Sequence, residues 1–349
     1  MDFHGAWTAL VTPMTPDGGI DWEGFEKNLQ FQTDQGITGL VPTGTTGESP
    51  TLLWDEHNSL IERSLKQCGR TCGVIAGTGS NSTQEAVEST EHAAENGAKA
   101  ALLVDCYYNG PSSLELRTEY YGVLAEVFPD IAFVPYVIPG RSGTELLVED
   151  LAILADQFPN IHCVKEATGN LERMARTRKI LGQDFFIMSG DDDITFKIMT
   201  DPAIKAAGVI SVVSNIAPAG VEKMCRAILN GDTRTAESLR DALSPLFGIV
   251  TVKVENERRL PDGTVVKVQD RFRNPLGIKV LMNALGMPSG PGRQPLGRMT
   301  QAGIDVLRKA ASDVWDKNPE ILSPIGDFYG VDVEGHIKSD ENWSEIAYP

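Results

Sequence analysis

A chain of 349 residues with 41% hydrophobic content is long enough to bury a large core, and closed α/β barrels reach this size as one domain. Its 48 acidic against 31 basic residues leave a formal charge of -17 with no Lys/Arg-rich block, which excludes an electrostatic nucleic-acid-binding surface. Five scattered cysteines (Cys68, Cys72, Cys106, Cys163, Cys225) complete no zinc pattern, and no apolar run approaches the roughly 18 residues of a membrane span.

Short apolar runs rich in β-branched residues recur along the chain, with helical patterns between them. In order they cover 7–12, 39–42, 73–76, 101–104, 131–134, 161–165, 185–188 and 208–213. The intervening segments 22–35, 53–68, 83–96, 113–128, 148–157, 170–181 and 194–200 have amphipathic spacing, and Asp21 and Ser82 stand at N-cap positions. Eight buried strands alternating with helices predict a parallel sheet, and the count of eight predicts closure as a (β/α)8 TIM barrel. An open doubly wound sheet is the alternative, but no phosphate-cradling glycine fingerprint follows the first strand.

After the eighth run, 218–229 and 233–246 read as helices. Alternating segments around Pro261-Asp262-Gly263 predict an inserted β-hairpin near 252–268. Helical patterns resume over 276–285 and 300–314, giving a C-terminal helical extension. The last segment mixes Pro, Gly, Trp and acids without period, so it is expected to wrap the surface or dangle. The expected division is a barrel over 1–225, a helical region with the hairpin over 226–317, and an irregular tail over 318–349. The start has no basic and apolar leader pattern, and free thiols fit a reducing compartment, so a cytoplasmic location is expected.

In such a barrel the reactive groups come from the C-terminal ends of the strands and the loops after them. Strand two runs into Gly44-Thr45-Thr46-Gly47-Glu48-Ser49, where backbone N–H groups and hydroxyls can converge on a small anion, although such loops are also ordinary turns. Strand four ends near Tyr107-Tyr108-Asn109, strand five at Tyr136, strand six at Lys165 and strand seven at Gly190-Asp191. Alternation puts Ile161, Cys163 and Lys165 on one face. On an inward face desolvation disfavours the ammonium form and frees the amine as a nucleophile for a carbonyl carbon. Taken alone, the segment also fits a strand-end lysine reaching solvent. A tyrosine opposite that lysine can carry protons both ways during imine formation, and taken alone Tyr136 also fits an aromatic filling the barrel mouth.

Gly44-Thr45-Thr46-Gly47-Glu48, Tyr107-Tyr108-Asn109, Tyr136 followed by Pro139-Gly140-Arg141-Ser142-Gly143, and Lys165-Glu166-Ala167-Thr168-Gly169-Asn170 occur in register and order. Together they resemble the dihydrodipicolinate synthase family of the pyruvate-dependent class I aldolases, over about residues 5–248 and again from Asn274-Pro275 and Lys279 onward. The resemblance implies that Lys165 forms an imine with pyruvate and that Thr45 and Thr46 bind the pyruvate carboxylate. It implies that Tyr136 shuttles protons, linked through Thr45 to a Tyr108 that reaches a neighbouring subunit, so that the protein is a homo-oligomer, dimer or tetramer. Arg141 would hold the carboxylate of the acceptor, aspartate semialdehyde, with its planar fork. Gly190 would line the substrate site, and Ile210 would offer a backbone group near bound pyruvate. The product would be 4-hydroxy-tetrahydrodipicolinate, on the route to lysine. No metal or other cofactor is implied, because the protonated imine serves as the electron sink.

Arg141 separates this pattern from the sialic-acid lyases, which share the lysine and tyrosine, usually have Gly-Ser-Thr-Gly-Glu in the loop, and lack that arginine. A pyruvate-releasing aldolase or hydratase for a 2-keto sugar acid is the alternative enzyme, and a barrel retained as a binding protein the alternative outside catalysis. The departures are Val137 in place of the usual asparagine and Asp105-Cys106 in place of Thr-Pro. Ser49, His57, Asn81, Glu85 and Tyr107 match the family's lysine-inhibition site. Trp54 stands where a smaller or polar residue is usual, so weak or absent inhibition by lysine is expected. His57 also fits a polar residue on an exposed helix face.

Overall fold

The computed structural model describes residues 1–344, 347 and 348. Eight parallel strands follow one another around a closed barrel: β1 Gly5–Ala9, β2 Gly39–Val41, β3 Gly73–Gly77, β4 Ala100–Val104, β5 Ala132–Val137, β6 Cys163–Glu166, β7 Phe186–Ser189 and β8 Gly208–Ser211. β8 pairs back onto β1, with Gly5 opposite Gly208 and Thr8 opposite Ser211. The architecture is therefore the expected TIM barrel. Both faces of every strand are buried, which is why the runs read as nearly continuous apolar sequence.

Alternation still sorts the side chains. Trp7, Val41, Ile75, Leu102, Val134 and Cys163 fill the inside, whereas Leu40, Val74, Leu103, Phe133 and Val164 meet the helices. Trp7 occupies the barrel floor so fully that a Cβ on Gly39 or Gly73 would lie 2.2 or 2.4 Å from its ring. Glycine opens both strands because the indole holds the space. The surrounding helices begin at the caps read from the sequence: Asp21 accepts from the Gly24 N–H at 2.9 Å, and Ser82 accepts from the Glu85 N–H at 3.5 Å.

Several bounds differ from the sequence reading. β1 ends at Ala9 and not near Thr12, because the next backbone groups leave the ladder and Val11 N–H is taken by the Asn215 side chain at 3.0 Å. β6 starts at Cys163, so Ile161 belongs to the outer core and does not share the inner face with Cys163 and Lys165. The hairpin is longer than its apolar alternation shows. β9 spans Thr251–Arg259 and β10 spans Val265–Arg273, the last five residues being polar or charged apart from Phe272.

The tail is not irregular. Helices Ser323–Tyr329, Val333–Lys338 and Glu341–Ser344 dock Ile325, Val333, Ile337 and Trp343 into the main core. Four apolar contacts spread over 19 residues make no periodic signal, but each has a pocket to fill. Residues 345, 346 and 349 of that tail lie outside the described residues. Among the described residues, no helix is long and apolar enough to cross a membrane.

Candidate active site

Lys165 is the third residue of β6, and the strand's alternation turns it into the barrel with Cys163 behind it. It is 5% exposed, and its Nζ lies over the Tyr136 ring at 4.0 Å from the centroid. Tyr136 is its direct neighbour across the β5–β6 pairing. No described residue gives Lys165 a hydrogen bond or an ion pair. Burial pushes its pKa down to about 8, opposed by the charges of Asp191 and Asp192 and assisted by Arg141. The ring face offers an ammonium some attraction but no proton acceptor, so the amine can lose its proton near neutral pH.

Tyr136 is equally buried, and desolvation raises its hydroxyl to about 12 against the opposing pull of Arg141 and of a hydrogen bond with Thr45. A phenol in that range stays protonated and can donate, and it regains its proton readily after transfer. Two cavities of about 200 Å³ each meet at Tyr136, Ile138 and Arg141. The inner one holds Lys165, Thr46, Gly190 and Asp191, while the outer one holds Thr45, Ser49 and Tyr107.

The loop after β2 is rigidly built. Thr43 donates to the Gly77 carbonyl at 2.9 Å, and the Asn274 amide donates to Thr46 Oγ1 at 2.9 Å. The Asn274 carbonyl accepts from Arg141 Nη2 at 2.7 Å, so one residue braces both the anion loop and the arginine. Gly190 passes so close to β6 that a Cβ there would meet the Ala167 Cβ at 2.6 Å. Beside it Asp192 accepts from the N–H groups of Val212 and Val213 at 2.9 and 3.3 Å, tying the loop after β7 to the end of β8. Asp191 faces the cavity, and burial lifts its carboxyl to about 6, with Asp193 adding and Lys165 opposing.

Not every expected residue joins this group. Ile210 lies deeper in the inner core, and Val212 is the β8-side residue that lines the cavity. Tyr108 projects away at 93% exposure with a φ of 74°, a conformation costly for an aromatic residue, and no side-chain hydrogen bond or ring contact among the described residues accounts for it. Among the residues matched to lysine inhibition, Ser49 and Tyr107 line the outer cavity, and Asn81 accepts from the Tyr107 N–H at 2.7 Å. Glu85 is engaged by the Ser80 hydroxyl. His57 is not on an exposed face: it is 2% exposed, neither ring nitrogen has a partner among the described residues, and burial pushes it down to about 4. The Trp54 ring stands edge-on to it at 5.1 Å.

Sequence reasoning missed Asn274 as a brace, and it missed Thr251, Arg271 and Arg273, which line the inner cavity from the base of the hairpin. The available signal was the spacing Arg271-x-Arg273, which puts both cations on one face of β10.

The model of the Dihydrodipicolinate synthetase family matches residues 2–313 of the chain. A 4-hydroxy-tetrahydrodipicolinate synthase of Nitratidesulfovibrio vulgaris is 43% identical over 246 residues, which are 70% of this chain and 82% of the relative. One of Methanothrix thermoacetophila is 37% identical over 315 residues, 90% of this chain and 98% of the relative. The crystal structure of dihydrodipicolinate synthase from Aquifex aeolicus superposes with a TM-score of 0.79 at 35% identity, covering 92% of this chain and 99% of that one.

Proposed function

The chain belongs to the dihydrodipicolinate synthetase family, and from that premise we propose how its own residues carry the reaction. The activity is the condensation of pyruvate with aspartate semialdehyde in lysine biosynthesis, by a class I pyruvate-dependent synthase.

In the proposed mechanism the neutral Lys165 amine attacks the keto carbon of pyruvate. Tyr136 gives a proton to the carbinolamine oxygen, water leaves, and the protonated imine remains. Thr45 and Thr46 hold the pyruvate carboxylate, the first also fixing the phenol that moves the proton. The Tyr136 phenolate then takes a proton from the methyl group and is restored, and the electron pair of the broken C–H bond passes through the new C=C bond to the iminium nitrogen, giving a neutral enamine. That carbon attacks the acceptor aldehyde, whose oxygen takes a proton from Tyr136 as its C=O π bond opens and the iminium re-forms, while Arg141 holds the acceptor's carboxylate. The acceptor's own amine finally displaces Lys165 from the former keto carbon, closing the ring and restoring the free lysine.

A single observation carries this reading. The cavity's one lysine is buried, has no hydrogen-bond or ion-pair partner among the described residues, and is set 4.0 Å over the ring of a buried tyrosine. The chemistry calls for no metal, since the iminium accepts the electrons. In this reading residues 1–225 act as the catalytic barrel and 226–317 hold its mouth. We further propose that the enzyme works in the cytoplasm as a homo-oligomer, dimer at least. The strained, outward Tyr108 fits a side chain delivered to a neighbouring subunit's site. Turnover with aspartate semialdehyde, set against a 2-keto-3-deoxy sugar acid, tests the assignment. Efficient use of the first and none of the second is expected, and the reverse order would overturn it. Sedimentation of the native chain as a monomer would remove the role given to Tyr108.

A further inference from the structure

The hairpin divides its two faces by strand alternation. Phe272 and Val254 turn toward the core, where the Phe272 ring packs on Gly303 of the helix Gln301–Lys317. The opposite face at the hairpin's base has Thr251 paired with Arg273 and Lys253 paired with Arg271. Lys253 opposite Arg271 is a like-charge cross-strand pair, an arrangement that destabilises a two-stranded ribbon. Farther out the same face pairs opposite charges, with Lys267 bonded to Glu255 at 2.7 Å. The unfavourable charges are therefore confined to the end of the ribbon that reaches the barrel mouth.

There Arg271 and Arg273 line the inner cavity with Lys165 and Arg141. Four cations face one carboxylate in that lining, Asp191, in a chain whose formal charge is -17. The guanidinium groups are also underused. Arg273 Nη1 donates to the Gly140 carbonyl at 2.8 Å and Arg141 Nη2 to the Asn274 carbonyl at 2.7 Å, while Arg271 has no partner among the described residues. None of the three forms an ion pair with a described carboxylate. Each guanidinium has five N–H donors in a fork that fits a carboxylate, and most of this donor capacity has no partner among the described residues. Arg141 feels the crowding: after burial, the charges of Arg273 and Arg271 are what hold its pKa below the ordinary value.

We infer that Arg271 and Arg273 complete, with Arg141, a carboxylate subsite for the acceptor aldehyde, which makes the hairpin a specificity element of the condensation. The inference rests on the reading of Lys165 as the imine-forming residue. In the proposed mechanism the Thr45–Thr46 loop already holds pyruvate's carboxylate, so the arginines are left for the second substrate. A low-dielectric cleft lined by one sign of charge concentrates an anionic substrate that the acidic surface otherwise repels. A neutral acceptor gains nothing from it.

Arg271→Ala is the decisive variant, because Arg271 is exposed on its core-opposed face and holds nothing else in place. Its KM for aspartate semialdehyde should rise at least about tenfold, with the KM for pyruvate and the yield of borohydride-trapped pyruvate adduct within about twofold of native. Arg271→Lys keeps the charge without the fork and should recover part of the loss. Turnover of propanal, an acceptor without a carboxylate, should be unaltered in Arg271→Ala. An unchanged KM for aspartate semialdehyde, or an equal loss with propanal, would overturn the subsite. Absence of a trapped adduct in the native chain would instead overturn the imine reading beneath it.

Discussion

Two lysines are buried in this molecule, and their surroundings make opposite things of them. Lys279, on the helix Leu276–Ala284, is 1% exposed and spends all three donors. Its Nζ bonds Glu48, the Thr12 carbonyl at 3.1 Å and the Pro291 carbonyl at 2.8 Å. Glu48 is itself fully buried and accepts from the Arg293 N–H at 2.8 Å, so the ion pair closes a saturated network between the β2 loop and the C-terminal region. Lys165 has no such partner. Burial lowers the pKa of both ammonium groups, but at Lys279 the Glu48 carboxylate opposes it directly, whereas Lys165 falls to about 8. Burial alone does not make a nucleophile; an uncompensated burial does.

The largest effect that would sharpen this contrast comes from Lys165→Met. Turnover should fall by at least about a thousandfold, since no other buried amine faces the cavity. The same variant should be more stable by roughly 3 kcal/mol at neutral pH. The sign follows from the depressed pKa: between about 8 and the ordinary lysine value of 10.5 the unfolded chain holds a proton that the folded chain has lost. The penalty is thus fully present below about 8 and disappears as pH rises toward 10.5. Thermal melts of both proteins across that range should converge at alkaline pH, and parallel curves would count against the shift.

Lys279→Met should act in the other direction. It strands Glu48 as an unpaired buried carboxylate and should cost about 3–5 kcal/mol in urea unfolding, while Lys279→Met with Glu48→Leu regains most of it. Equal losses for single and double variants would break the comparison. Next comes Tyr136→Phe, which keeps the ring over Lys165 but removes the hydroxyl. A loss in kcat of about a hundredfold or more, with slower adduct trapping, is expected from removal of one proton carrier.

A smaller change tests the amine itself. The rate of adduct formation should rise with pH and level off above about 8, as the Lys165 ammonium deprotonates. A flat profile from acid to alkaline pH would contradict that titration. The smallest expected effect is that of free lysine, for which submillimolar concentrations should leave turnover unaltered. The Trp54 ring stands edge-on against a His57 that burial keeps neutral. Half-maximal inhibition at submillimolar lysine would refute this.

The contrast also explains what could be read from the sequence. The barrel was legible because each strand declares itself locally, and Lys165 was legible because a lone cation ends an apolar run. Thr45 and Tyr136 followed as residues at strand ends, whereas Arg141 came only with the family resemblance. Asn274 was opaque, because its bond to Thr46 joins residues 228 positions apart. The cavity-facing arginines were hidden by the charged end of β10, where the alternation stops being apolar and the hairpin reads as ending at 268. The tail helices were hidden for a related reason: Ile325, Val333, Ile337 and Trp343 each fill a separate pocket instead of forming a stripe.

Reduction of the protein with borohydride in the presence of pyruvate, followed by peptide mass mapping, tests the central claim most directly. A single adduct on the peptide bearing Lys165, with none on that bearing Lys279, is the predicted result. An adduct on Lys279 or any other residue, or no adduct at all, would contradict the account.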